Sequence, residues 1–215
     1  MVYIFDEGNL VHVQIPLVAI EGGEVKEEVV ELVAERDGRV VSGPYSTVQE
    51  AFYGALQRLA EAISAVESSL DTLEFRLETE ERVSPGEVYT ALYNSHMLYI
   101  AASQLRQLAV ELKRRGLVGY RQYAYARSLA RRAFLLRRLA RDVRLLYSTV
   151  VQTSLEVSVK RLTWLGTVAL PGILITGFYG MNLSWLPLAD DPPAVFIILA
   201  VAIAGFAYIL GKLFK

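Results

Sequence analysis

Polar positions vanish from two stretches near the end of the chain. Residues 162–179 and 194–211 contain no charged side chain. Each is about 18 residues, close to the ~20 that cross a hydrocarbon core of ~30 Å. The expected reading is two adjacent membrane spans; a buried hairpin of a soluble protein is the alternative. Ahead of the first span, the chain from Gly119 meets no helix breaker until Gly166 and Pro171. Leu129, Leu136, Val143, Val150 and Val157 recur every seven residues there. Ala126, Ala133, Ala140, Tyr147 and Ser154 form a second, interleaved series, so the two together make an apolar seam. A helix of ~60 residues would be ~90 Å long, which predicts a stalk running into the first span. The seam fits packing between subunits or within one.

The pattern is different toward the N-terminus. "LVHVQIPLVAI" is rich in β-branched residues, "EGGE" predicts a turn, and "EEVVELVAERDGRVVSGPY" suggests two more strands around Asp37 and Gly38. From Ser46, "STVQE" offers a helix cap, and helical spacing continues to about Thr79. "SPGE" starts a second helix, with Pro85 in its first turn, that ends near Arg115 and Gly116. The predicted fold class is an α-helical membrane protein, α+β overall. Its parts are a small β-rich cytoplasmic subdomain (1–45), a helical hairpin (46–118), a stalk helix (119–161), a first transmembrane helix (162–182), an external loop (183–193), and a second transmembrane helix with a short basic tail (194–215).

Composition supports this division. Of the 215 residues, 53% are hydrophobic although 21% are charged. The net charge is 22 − 23 = −1, so only the distribution of charge is informative. The charged residues of 61–87 are mostly acidic and those of 121–144 are arginines, with Asp142 the single carboxylate of the latter stretch. Lys160 and Arg161 precede the first apolar run, Lys212 and Lys215 follow the second, and the intervening loop has Asp190 and Asp191 but no base. The positive-inside rule then places both termini in the cytoplasm and the loop outside, in a multi-pass protein of the cell membrane. Trp164, Tyr179 and Trp185 are candidate interfacial anchors. No signal peptide is evident in "MVYIFDEGNL".

Enzyme chemistry has no footing here. The chain has no cysteine and only His12 and His96, and it lacks a phosphate-binding glycine loop, a nucleophile elbow or a zincin motif. No enzyme activity and no cofactor are expected. Glu67, Asp71, Glu74 and Glu78 share one helix face, most simply a solvated one. The arginine-rich segment lacks interleaved aromatic platforms, so no nucleic-acid partner is expected; a bilayer with anionic lipid is the better match.

The first apolar run closes on "GFYGMN". Gly and Asn commonly end helices because both tolerate the left-handed conformation. Position gives the triplet Gly180-Met181-Asn182 further meaning, since it closes the first of two terminal spans on the side away from the basic flanks. Here the sequence resembles the CorA family of divalent-cation transporters, whose signature is Gly-Met-Asn at this place. "KRLTWLGTVALPGILITGFYGMN" supplies Lys160, Leu162, Thr163, Pro171, Gly177, Tyr179, Gly180, Met181 and Asn182 of the family's pattern. The acidic hairpin and long stalk are similar to the family's cytoplasmic part.

The resemblance implies a homopentamer, a central pore lined by the first span, and an outer ring of Asn182 carboxamides that meets the hydrated ion. Such neutral oxygens suit Mg²⁺, which gives up water reluctantly. Spacing alone yields a stripe of Glu156, Val159, Thr163, Gly166, Leu170, Ile173, Gly177 and Gly180, alternating by three and four. Val159 and Leu170, with neighbouring Leu162, match the family's apolar constrictions, which close by dewetting. The glycines also permit close helix packing. Departures from the family pattern are Ser184 in place of a Glu, Leu186-Pro187-Leu188-Ala189 in place of Met-Pro-Glu-Leu, Ile173 and Glu156 in place of uncharged polar residues, and a shorter N-terminal domain. Mg²⁺ is the first expectation for the transported ion, with Zn²⁺, Co²⁺ or Ni²⁺ as alternatives. A non-conducting membrane-anchored assembly protein is the competing class.

Overall fold

The computed structural model describes residues 4–8, 10–181 and 191–213. Two compact units divide it, Met1–Val150 and Val151–Lys215.

The first unit opens with a four-stranded antiparallel sheet in the order β1 (Ile4–Glu7), β2 (Leu10–Glu21), β3 (Glu24–Glu35), β4 (Val40–Ser42). The long β2–β3 ladder runs in register from Leu10↔Glu35 to Glu21↔Glu24. Its two-residue turn, Gly22-Gly23, has φ of 62° and 85°. Both angles lie where side chains are disfavoured, which is why "EGGE" makes a tight hairpin.

Helix α1 (Val48–Glu78) starts at Thr47, whose Oγ1 accepts the Glu50 N–H at 3.1 Å. Helix α2 (Pro85–Arg114) has a reciprocal capping box: the Glu87 N–H donates to Ser84 Oγ at 3.2 Å, and the Ser84 N–H donates to Glu87 Oε2 at 3.1 Å. Arg76 ties the connection between them, donating to the Arg82 carbonyl at 2.7 Å and to Glu87 Oε2 at 3.3 Å. Asn94 of α2 latches the hairpin tip. Its Oδ1 accepts the Val25 N–H at 2.9 Å, and its Nδ2 donates to the Gly23 carbonyl at 2.8 Å.

Helix α3 (Tyr120–Tyr179) passes through Gly166 and Pro171 without a break. In the first unit it contributes Ala126, Leu129, Ala133, Leu136, Ala140 and Val143 to the same hydrophobic cluster as Val13, Ile15 and Leu32 of the sheet, Phe52, Leu56 and Leu59 of α1, and Leu98, Leu105 and Leu112 of α2. This part of the heptad seam is therefore closed within the subunit. Fully burying each leucine of this seam contributes about 1.5–3 kcal/mol. Arg132 reaches Glu67 of α1 at 2.7 Å, and the Arg137 guanidinium sits 4.8 Å from the centre of the Tyr99 ring of α2. Arginine and acidic stretches thus meet, in part, across the same unit.

The second unit contains the rest of α3 and helix α4 (Pro192–Leu213). Asp191 stands at the start of α4, its Oδ1 accepting the Ala194 N–H at 3.4 Å, with Pro192 and Pro193 in the first turn. The residue expected to act as an acidic group of the external loop is thus placed as a helix cap. α3 holds a stretch long and apolar enough to cross a membrane, none of it buried. α4 has a shorter apolar stretch, Pro193–Ile209.

Candidate functional site

One side of α3 in the second unit is half-buried, through Thr167, Val168, Pro171, Gly172, Ile175 and Tyr179. It meets α4 at Gly172. A Cβ placed on that glycine would lie 3.1 Å from Ile203 Cδ1 and 3.9 Å from Leu199 Cδ1. The absence of a side chain is what lets the helices approach there. Gly172 and its partners were not singled out from the sequence; a glycine beside a proline within an uncharged run is the signal that marks them.

The stripe read from spacing occupies the other side. At 3.6 residues per turn, Val159, Gly166, Leu170, Ile173 and Gly177 project opposite the α4-facing residues. All are exposed, Val159 at 61% and Ile173 at 66%, as are Glu156, Leu162, Thr163 and Gly180. Nothing approaches within 4 Å of a Cβ placed on Gly166 or Gly177. This face is apolar, rich in small residues and without a partner among the described residues. Apolar surface of this kind is covered by lipid or by another helix.

At the end of the helix, the Gly180 N–H donates to the Thr176 carbonyl at 2.9 Å and the Met181 N–H to the Phe178 carbonyl at 3.2 Å. A Cβ on Gly180 would lie 3.2 Å from the Thr176 carbonyl oxygen, so glycine suits the tightening last turn. Met181 is exposed. Asn182 and Asp190 lie outside the described residues. The structure thus brings one helix face together and leads it to the Gly-Met step. Thr167 and Thr176 return their hydroxyls to the carbonyls of Thr163 and Gly172, at 2.7 and 2.8 Å, so these polar groups are satisfied within the helix.

At the other end of the stripe, Gln152 Nε2 donates to Glu156 Oε1 at 3.0 Å. Gln152 was not among the residues expected from the sequence. Its place four residues before Glu156, on the same face, is the signal that identifies it. In the first unit, Glu67 is engaged by Arg132. Among the described residues, no group of three His, Asp or Glu side chains stands close enough to hold a metal ion.

An antiparallel sheet backed by a helical hairpin precedes a 60-residue helix that carries an apolar stretch long enough to cross a membrane. Residues 17–215 match the family described as CorA-like Mg²⁺ transporter protein, and the chain belongs to that membrane-embedded family of divalent-cation transporters. The fold is similar to that of the CorA magnesium transporter from Methanocaldococcus jannaschii, with a TM-score of 0.58 and 14% identity over 96% of this chain and 77% of that one. It is also similar to the full-length CmaX protein, with a TM-score of 0.67 and 17% identity over 97% of this chain and 76% of that one. No curated protein matches the chain at the level of sequence.

Proposed function

We propose that the chain assembles as a homopentamer that conducts divalent cations, Mg²⁺ first among them, across the cell membrane. In this reading α3 and α4 each span the bilayer, both termini are cytoplasmic, and the segment between the two helices lies outside. The observation that carries the proposal is the exposed face of α3, set opposite its α4 contact and leading to Gly180-Met181. A helix bound to α4 on one side and lined by small residues on the other is suited to stand beside copies of itself around an axis. Val159, Leu162 and Leu170 then form apolar rings that close by dewetting, while Thr163, Gly166, Ile173 and Gly177 line the path between and beyond them. Asn182 supplies the outer ring, whose carboxamide oxygens hold an ion still carrying its water.

The Arg132–Glu67 ion pair supports a further part of the reading. Glu67 is taken up by Arg132, and the upper stalk between Arg121 and Arg144 carries a single carboxylate, Asp142, so inhibition by internal Mg²⁺ is expected to be weak, with closure resting on the apolar rings. Zn²⁺, Co²⁺ and Ni²⁺ remain competing cargoes, because the pore face offers no thiolate or imidazole to discriminate among them.

The test is ion flux in proteoliposomes, comparing Mg²⁺, Zn²⁺, Co²⁺ and Ni²⁺ for the native chain and for Asn182→Ala. Near-complete loss of flux in the variant, with pentamers retained in native mass spectrometry, is the expected result. Native flux in Asn182→Ala overturns the Asn182 ring, whereas absence of flux from the native chain favours a non-conducting assembly protein.

A further inference from the structure

The faces of α1 and α3 that point away from the core of the first unit carry opposite charge. On α1, Glu61, Ser64, Ser68, Asp71, Phe75 and Glu78 follow one another by three and four, so they form one stripe, and all are exposed. On α3, Arg127, Arg131, Phe134, Arg138, Arg141 and Leu145 do the same, and these too are all exposed. Each stripe lies opposite a buried row, Leu59, Val66, Leu70 and Leu73 on α1 and Leu129, Ala133, Leu136 and Ala140 on α3.

Each stripe also lacks its counter-charge. Arg76 is the only base in residues 61–78, and it is taken up by Glu81 and Glu87. Asp142 is the only carboxylate in residues 127–145. Among the described residues, no ion pair reaches Glu61, Asp71, Glu78 or any arginine of the α3 stripe. Arg132, one residue off the stripe, pairs with Glu67 instead. Charge alone is content with water, but Phe75, Phe134 and Leu145 stand exposed among these charges. Aromatic side chains interspersed with arginine are the composition of an interface more than of a solvated face.

The heights of the two stripes match as well. Glu67 and Arg132, 65 residues apart in sequence, meet at 2.7 Å. Gln49 and Tyr53 share a surface cleft with Tyr120 and Tyr125 at the helix starts. α1 and α3 therefore run parallel with nearly this offset. Glu61 and Arg127 are 66 residues apart, and Asp71 and Arg138 are 67. At ~1.5 Å of rise per residue, those pairs stand level to within ~3 Å. A copy turned about an axis parallel to the two helices, without sliding along it, thus sets carboxylates against guanidiniums. Phe134 comes level with Ser68, whose small side chain leaves room for the ring. Phe75 comes level with Arg141, whose guanidinium stacks well on an aromatic face. A head-to-tail contact that needs no slide closes on itself instead of climbing into a filament.

We propose that a second copy of this chain docks on these stripes, the acidic face of α1 in one copy lying along the arginine face of α3 in the next. The occupant is the chain itself because the two surfaces match in charge, spacing and height. The contact goes beyond the channel reading and stands apart from it, since a non-conducting assembly would make it equally well. Being ionic, it loosens as salt screens it, which an apolar seam does not.

The experiment uses the full chain in neutral detergent. The chain has no cysteine, so Ser68→Cys combined with Phe134→Cys places one thiol on each stripe. Oxidation is expected to link separate copies into a ladder on a non-reducing gel. The yield should fall by about threefold or more between ~0.1 M and ~1 M salt, as the screening length shrinks from ~10 Å to ~3 Å. Arg138→Glu in this background should lower the yield at low salt by about threefold or more, Asp71→Arg should do likewise, and the two together should restore it. Both positions are exposed, so the melting temperature should not move. Absence of the ladder at low salt overturns the contact, and so does a yield that Arg138→Glu leaves unchanged. A ladder that forms only after phosphatidylglycerol is added assigns the arginines to lipid headgroups and overturns it too. Should the charge variants fail to fold, the salt titration decides, and a yield constant across that range is fatal to the contact. Flux of the native chain in proteoliposomes separates the two readings. Flux without a ladder removes the contact and leaves the channel standing, whereas a ladder without flux supports the contact and removes the channel.

Discussion

Helix α3 carries one heptad pattern through two environments. From Ala126 to Val143 its seam is sealed by the sheet, α1 and α2, and these positions are buried. From Val151 the same periodicity continues, yet every residue through Lys160 is exposed. Periodic apolar side chains state that a face is to be covered, and they are silent on whether the cover belongs to the same chain. The first unit supplies its own cover; the second leaves a face without a partner among the described residues, of the kind that lipid or another helix covers.

The sharpest way to break this comparison is a charge on each side of it. Leu136→Asp places a carboxylate in the closed core without a partner and should destabilise the first unit by about 3–5 kcal/mol, abolishing its cooperative thermal unfolding. Val157→Asp sits at a position 43% exposed and should leave that unfolding unchanged while lowering the yield of pentamers in native mass spectrometry. If both variants unfold alike, the two halves are not distinct environments. Next in size, Gly172→Leu should force Ile203 and Leu199 away from α3, an overpacking cost of about 1–3 kcal/mol, read as a lower melting temperature in detergent.

A smaller effect is expected at Asn94. Replacing it by Ala leaves the Val25 N–H and the Gly23 carbonyl without their partner, costing about 1–3 kcal/mol in denaturant unfolding of the first unit. The smallest concerns pH. Arg115 bonds Asp6, with Arg36 adding a longer-range attraction, and together they hold the Asp6 carboxyl below its ordinary value. A depressed folded value means that the contribution is present above the ordinary carboxylate range and lost as pH falls through the folded value. Arg115→Ala should therefore lower stability slightly at neutral pH and flatten its decline in acid, measured as melting temperature against pH.

Much of the first unit was legible in the sequence because its signals are local. Gly22-Gly23 announced its hairpin, Ser84 and Glu87 announced the start of α2, and "STVQE" announced α1 to within a few residues. The interior of the seam was not legible, since Leu136 reads alike whether its neighbour is α1 of the same chain or α3 of another. The stripe on α3 was legible as a face from its spacing of three and four. What lies behind it was not: the α4 contact depends on Gly172, Leu199 and Ile203, residues 27 to 31 apart in an antiparallel arrangement that no local pattern encodes. Gln152 was missed for another reason, since a neutral amide among serines and threonines carries no charge signal until its bond to Glu156 is seen.

The Asn94 latch has a consequence for the order of events when the chain folds. The β2–β3 ladder zips from a two-residue turn, so its closure spans short loops and is rapid. Asn94 lies 69 and 71 residues from the groups it binds at the hairpin tip. Its two bonds are therefore expected to form late, once α2 has docked, and to be absent from an early folding nucleus. Removing them should leave the refolding rate nearly unchanged and hasten unfolding, so this one amide governs how long the tip stays shut more than how quickly it is made.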